Sequence, residues 1–314
     1  MTPLIFDPIY SQLELPDRHR FPIEKYRALR DALLAGGALP SQFMRPKPVA
    51  PALIGNELSE RYIQQFVAGE LDRQAMRRIG FPWSDQLVKR TFTAVGGTIL
   101  AGALSLERGR AINLTGGYHH AFYDYGAGFC IVNDLYLSAL NLIQHYGIKR
   151  VLIFDCDVHQ GDGTASLAQA REDIFTVSLH GEKNFPFRKK QSDIDVALPK
   201  GTTDDDYLAA VEATLEQALT EFRPEAVIYD AGADVHVNDD LGHFEISTQG
   251  VYERDRLVFA RCEAAGLPVS AVIGGGYQRD IEALVEVHSQ LFYAAGVCPR
   301  LTGDQTQAVS APLR

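Results

Sequence analysis

"RVLIFDCDVHQGDG", residues 150–163, decides how this chain is read. Its first half, Val151 to Phe154, is an apolar run with no in-out alternation, the pattern of a strand buried on both faces. Its second half crowds Asp155, Asp157, His159 and Asp162 onto the end of that strand. A spacing of two along an extended chain puts Asp155, Asp157 and His159 on one side, with Cys156 and Val158 facing away into packing. Carboxylates and a neutral imidazole are good ligands for zinc or a similar divalent ion. Taken singly, an aspartate is better read as a helix cap and a histidine as a local hydrogen-bond partner. Three on one face at the end of a buried strand favour a metal.

Four other segments share this design. "AINLT" (111–115) runs into "GGYHHAFYDYGAGFC" (116–130), and "IFTVSLH" (174–180) ends on His180. "EAVIYDAGAD" (225–234) ends on Asp234, and "PVSAVIGGGY" (268–277) on Tyr277. Between them lie helical patterns. The longest is "SDQLVKRTFTAVGGTILAGALSLERG" (84–109), with Ser84 as cap and Gly109 as stop. Others are "VNDLYLSALNLIQHYG" (132–147), a short helix after Gly163, Asp204 to Glu221, the stretch after Ser247, and Arg279 to Ala295. Ahead of them "FPIEKYRALRDALLAGG" (21–37) predicts a helix with Pro22 near its first turn and Gly36 past its end. Short apolar strands alternating with helices predict a parallel α/β sheet covered on both faces by right-handed crossovers. In such sheets ligands bind at the carboxyl ends of the strands. Five strands therefore deliver polar or aromatic groups to one edge.

At that edge Asp234 offers a third metal ligand, which leaves a coordination position open for chemistry. His119 and His120, on a glycine-flanked loop, are proton carriers at neutral pH, and Asp155 and Asp162 are the candidates to hold their tautomers. "GGGY" (274–277) matches neither a dinucleotide nor a phosphate-binding fingerprint. It reads either as a tight turn with a packed tyrosine or as a flexible support that aims the Tyr277 hydroxyl at a developing oxyanion.

The 314 residues carry a formal net charge of −10, with 46% hydrophobic and 22% charged residues. These values fit a globular protein and argue against a broad nucleic-acid grip. No apolar run approaches the ~20 residues that span a bilayer. The start reads as no signal peptide, so a cytoplasmic location is the expectation. Cys130, Cys156, Cys262 and Cys298 are scattered, as free thiols are in a reducing compartment. "MRPKPVAP" (44–51) reads as a surface loop and the polar residues 302–314 as a frayed tail. The whole chain, 1–314, is expected to be a single catalytic domain.

The ordered set "GGYHHAFYDYGAGFC", "FDCDVHQGDGT", "VSLH", "DAGADVHVNDDLG" and "GGGY" resembles the histone deacetylase family over nearly the whole chain. "GGTILAGALSLERGRAINLTGGYHH", "HQGDG" and "RDRLVFA" look closest to its class IV branch, where glutamine, here Gln160, follows the metal-binding histidine. The resemblance implies the arginase/deacetylase fold, an eight-stranded, mostly parallel sheet with helices on both faces. It implies Zn²⁺ on Asp157, His159 and Asp234, with His120 as general base and acid and His119 as its electrostatic partner. Asp155 is then the support of His119, Asp162 that of His120, and Tyr277 the group polarising the scissile carbonyl. Gly128, Phe129 and Phe185 match positions lining an acyl-lysine tunnel. A structural K⁺ is implied near the zinc, through Asp155, Asp157, His159, Ser178 and Leu179.

The implied activity is hydrolysis of N-ε-acyl-lysine, acetyl or long-chain fatty acyl, on a peptide or protein. A small acylated amine is a further candidate substrate, and a homo-oligomer is open. The chain departs from the pattern at Asp162, where class IV members usually have asparagine, and at Leu58, which replaces the family's histidine in "LSERY". "RHRFP" (18–22) reads equally as a site lining and as a loop leading into a helix. Two rival readings are a dimanganese ureohydrolase, for which the sequence offers only Asp234 as an extra carboxylate, and a non-catalytic acyl-lysine reader.

Overall fold

The computed structural model describes residues 1–55 and 57–300, so the expectation for 302–314 lies outside the described residues. Chain order is β1 (Leu4–Ile5), α1 (Lys25–Ala35), β2 (Phe43–Met44), α2 (Pro51–Ile54), α3 (Glu60–Ala68), α4 (Arg73–Ile79), α5 (Asp85–Arg108), β3 (Arg110–Asn113) and α6 (Asp134–Tyr146). Then follow β4 (Val151–Asp155), α7 (Asp162–Ala168), β5 (Ile174–Gly181), β6 (Ile194–Leu198), α8 (Asp204–Phe222), β7 (Ala226–Asp230), α9 (Thr248–Ala264), β8 (Val269–Val272) and α10 (Ile281–Ala294).

The strands form one eight-stranded sheet in the order β2-β1-β3-β8-β7-β4-β5-β6. Every pairing is parallel. Helices α5 and α6 pack together over one part of the sheet, while α8, α9, α10 and α1 follow one another in a second packed layer. β4 is buried along its whole length. Each of its large apolar side chains contributes about 1.5–3 kcal/mol of burial, which is why a continuous apolar run is stable there and nowhere on the surface. β6, at the sheet edge, alternates half-buried and exposed residues instead.

The helix ends follow local chemistry. The Ser84 side chain accepts the Leu87 N–H and Gly109 ends α5, Ser247 accepts the Gly250 N–H at α9, and Gly147 closes α6 with φ 72°. The helix expected from residue 21 starts instead at Lys25. Phe21 and Pro22 lie in the preceding turn, where Lys25 N–H donates to the Pro22 carbonyl and Phe21 is buried against Phe81. The packing of Phe21 overrides the helical pattern there.

The stretch 44–51 is mostly exposed, as its composition predicts, although its ends, Met44 and Pro51, belong to β2 and α2; the loop between them docks its backbone on α5. Gly96 permits that approach, since a Cβ there runs into the Lys47 carbonyl oxygen. Gly96→Ala is expected to cost about 1–3 kcal/mol through overpacking. A thermal melt that matches wild type contradicts this close approach.

Candidate active site

All the chemistry sits where the parallel strands end. β3, β4, β7 and β8 are neighbours through β8 and β7, so the loops that follow them converge on one crevice. Asp155 at the end of β4 is in register with Asp230 on β7 and with Ser178 on β5. The chain then bends. Asp157 N–H donates to the Asp155 carboxylate (2.9 Å), His159 N–H to the Asp157 carboxylate (3.0 Å), and Cys156 N–H to the Asp230 carbonyl (3.0 Å).

This bend corrects the expectation that three residues share a strand face. The strand ends at Asp155, and the turn sends Asp155 to one partner and Asp157 with His159 to another. His159 Nδ1 lies 3.0 Å from a carboxylate oxygen of both Asp157 and Asp234. These three residues place candidate ligand atoms within 4.8 Å of one another, all buried. Val158 N–H holds the other oxygen of Asp234 (3.0 Å) and Gly275 N–H that of Asp157 (2.7 Å). From α9, the buried Arg254 grips the Gly232 carbonyl at 2.6 Å and fixes the loop that carries Asp234.

The cluster's electrostatics ask for a cation. Burial opposes charge on the imidazole, yet hydrogen bonds and charge from Asp157 and Asp234 raise His159 to about 10. Burial and then the Asp157 charge push Asp234 up to about 7. A proton thus sits between two buried carboxylates, where two positive charges on a small ion fit better. The donor set, two carboxylates and one imidazole, suits a divalent ion with an open position.

Behind this cluster lie the paired histidines. His119 Nδ1 is 2.7 Å from Asp155, His120 Nδ1 is 2.6 Å from Asp162, and the two Nε2 atoms are 3.1 Å apart. With both carboxylates accepting, each Nδ1 carries a proton and one further proton is shared between the Nε2 atoms. Their surroundings divide that proton. Burial opposes charge on His119, but Asp155, Asp157 and Asp230 outweigh it and raise its pKa well above the usual value. Burial, followed by the charge of His119, lowers His120 to about 4. His119 is therefore the imidazolium and His120 the neutral partner, whose Nε2 lone pair accepts from the His119 Nε2–H. Titratable pairs whose pKa values are pushed apart divide acid and base roles.

This division can be checked in the metal-free protein by nitrogen NMR of labelled histidines. His120 is expected to stay neutral until pH falls towards about 4 and to lose its lone pair only below that. A His120 midpoint at or above its ordinary ~6.5 contradicts it.

Tyr277 stands across the crevice, with ring centroids 6.4 Å from His159 and 5.8 Å from Phe129. Burial and then the negative Asp157 and Asp234 hold its phenol well above the ordinary range, so it remains a proton donor. Its N–H donates to Asp239 at 2.6 Å, which anchors the glycine turn. His120, Gly128, Phe129, His159, Phe185 and Tyr277 line one cavity of ≈ 320 Å³. The Phe185 ring stands edge-on to His120 at 4.8 Å. Gly128 and Phe129 both have positive φ (51° and 66°), held by N–H bonds to the Arg78 and Ile79 carbonyls. Deeper in lies a second space of ≈ 20 Å³, bounded by Phe21, His119, Phe129, Gly274 and Tyr277 among others.

Other expected residues fall elsewhere. Ser178 and Leu179 are buried on β5 and do not line the cavity, and the Ser178 hydroxyl pairs with His180 Nδ1 at 3.0 Å. Leu58 belongs to the core. "RHRFP" does reach the interior, with His19 Nε2 2.8 Å from the Gly80 carbonyl and Phe21 packed on Phe129.

Sequence reasoning missed Asp230 and Asp239. Asp230 is fully buried, neither of its carboxylate oxygens has a hydrogen-bond partner among the described residues, and with His119 and Asp155 it forms a second potential ligand group. Burial, then Asp155, push its pKa well up. The signal was present, because Asp230 ends a buried strand in register with Asp155.

A histone deacetylase domain matches residues 19–292. An uncharacterized protein of Picosynechococcus sp. is 46% identical over 294 residues, covering 93% of this chain and 98% of that protein. Histone deacetylase 2 of Arabidopsis thaliana is 37% identical over 188 residues, which take in 59% of this chain and 49% of that protein, so the chain spans about half the length of this relative. Among solved structures, the HD domain of HDA15 superposes with a TM-score of 0.78 at 20% identity, covering 94% of this chain and 91% of that one. An HDAC homologue complexed with SAHA gives 0.78 at 24% identity, covering 92% and 83%. At those identities the two structures establish the fold alone.

Proposed function

The chain belongs to the histone deacetylase family, and from that membership we propose that it is a zinc-dependent lysine deacylase with 1–314 as one catalytic domain. The observation that supports this reading best is that one cavity is lined by His159 of the cation-seeking triad, by the neutral His120 of the histidine pair and by the protonated Tyr277. Asp157, His159 and Asp234 would hold the zinc. The chemistry it supplies when bound is Lewis acidity towards the acyl carbonyl and the attacking water.

The chain's own residues do the rest. His120 Nε2, its lone pair released from the His119 N–H, takes the proton of the water as the water oxygen adds to the amide carbon. Asp162 fixes the tautomer that leaves this nitrogen unprotonated, and His119 presents positive charge beside the developing negative oxygen. The Tyr277 hydroxyl donates to that oxygen. The C–N bond then breaks, and the lysine nitrogen takes a proton from the histidine pair. Phe129 and Phe185 flank the acyl-lysine chain and keep bulk water from the cavity. On the same reading a structural K⁺ sits at the ends of β4 and β5, where Asp155 and Ser178 are register partners. Gln160 supports placement in the class IV branch.

The inner space of ≈ 20 Å³ has room for about one water molecule or a methyl group, which favours acetyl over long acyl chains in this conformation. Matched acetyl-lysine and myristoyl-lysine peptides, assayed with and without chelator, test the proposal. Acetyl-lysine is expected to be cleaved faster, with activity lost on chelation and restored by zinc. Chelator-resistant hydrolysis contradicts the metal, and faster demyristoylation contradicts the acyl preference. A non-catalytic reader binds both peptides and cleaves neither. A small acylated amine as preferred substrate would show as higher turnover than any peptide. No helix among the described residues is long and apolar enough to cross a membrane.

A further inference from the structure

The segment between β5 and β6, "EKNFPFRKKQSD" (182–193), is the least explained surface near the site. Phe187 is 94% exposed, and Lys183, Phe185 and Phe187 all line the mouth of the catalytic cavity. A lone exposed apolar side chain is ordinary, but Phe185 and Phe187 are exposed together at this mouth beside Lys183, and an apolar patch with a polar rim marks a binding surface. The segment is held firmly. Gln160 donates to the Lys190 carbonyl (2.7 Å) and accepts the Lys190 N–H (2.8 Å), while the buried Asn184 donates to the Leu241 carbonyl (2.9 Å). Phe187 is thus presented by an anchored loop.

Its charge runs against that of the molecule. The chain carries a net −10, yet residues 182–190 hold Lys183, Arg188, Lys189 and Lys190 against the single Glu182. Among the described residues, none of these four cations has a carboxylate within ion-pair distance. Among the described residues no acidic side chain lines the mouth. The neighbouring acids are already engaged. Asp240 pairs with Arg279 at 2.9 Å, Asp193 accepts from Thr176, and Asp195 from Gln160 and Ser192.

We infer that the preferred substrate is an acyl-lysine set in an acidic stretch of protein, whose carboxylates meet Lys183 and Arg188 and whose apolar neighbour covers Phe187. Basic flanking residues meet like charge at the same place and are disfavoured. The inference rests on the deacylase reading for its acyl-lysine and on the loop alone for its charge preference.

Three acetyl-lysine peptides of one length, flanked by glutamate, by glycine and serine, or by lysine, separate the two. At low salt the acidic peptide is expected to exceed the neutral one about three- to tenfold in kcat/KM, with the basic peptide slowest, and ~0.5 M NaCl is expected to flatten the order. In the double variant Lys183→Glu with Arg188→Glu, both side chains being exposed, the acidic-to-basic ratio is expected to invert. Dissociation constants of the same fluorescent peptides should follow the same order. Hydrolysis of all three at equal rates, or faster hydrolysis of the basic one, overturns the charge inference and leaves the deacylase intact. Absence of hydrolysis with acid-selective binding overturns the deacylase reading and keeps the surface. Equal binding of all peptides, together with co-sedimentation on phosphatidylserine vesicles, assigns the loop to an anionic membrane and overturns the inference.

Discussion

Asp157→Ala is expected to give a folded chain that retains no stoichiometric zinc after dialysis and hydrolyses acetyl-lysine at background rate. Asp157 accepts from Gly275 N–H with one oxygen and meets His159 Nδ1 with the other. Its loss leaves one carboxylate and one imidazole, too little charge and too few donors to take a divalent ion from water. Removing even an outer partner of a metal ligand typically costs about 10–100-fold in affinity, so losing a ligand costs more. The substitution also strands the Gly275 N–H in a buried place, at about 1–3 kcal/mol. A lower melting temperature is therefore expected, with circular dichroism unchanged at room temperature. Zinc retained at one per chain after dialysis would remove Asp157 from the ligand set.

Tyr277→Phe is expected to reduce kcat by about a hundredfold or more while leaving zinc content and melting temperature close to wild type. The substitution removes one oxygen and keeps the ring against Phe129 and Phe21. The phenol's raised pKa means that wild type keeps this donor protonated across the neutral range. Its loss therefore falls on kcat at every pH tested, without a new titration. A carbonyl oxygen gains negative charge only as water adds, so the donor is worth more in the transition state than in the bound substrate. KM is expected to move little. Turnover within a few-fold of wild type would leave Tyr277 as a packing residue and the histidine pair as the sole proton machinery.

These effects rest on residues that were legible to unequal degrees. Helices with good caps, such as α5 with Ser84 and α9 with Ser247, stand where the sequence places them. So do the five strands made of continuous apolar runs. β1 and β2 are two residues each and β6 is a half-exposed edge, so they carry no such run. Only their pairing makes them strands.

The site divides in the same way. Chain order and residue type located the strand-end groups and offered the triad, the histidine pair and Tyr277, and the family likeness implied a role for each. Alternation along an extended chain suggested that Asp155, Asp157 and His159 act together, but the strand stops at Asp155 and the turn separates them. Sequence alone determined that polar groups gather at the carboxyl edge and which segments bring them, Asp230 and Asp239 excepted, because the burial of apolar runs follows from local pattern. Tertiary structure alone decided which groups face which. Asp230 stands beside Asp155, 75 residues earlier in the chain, through strand register, and burial among these carboxylates makes His119 the charged histidine and His120 the neutral one. Charge and pKa depend on distances of a few ångströms between residues far apart in sequence, and those distances exist only once the sheet has formed.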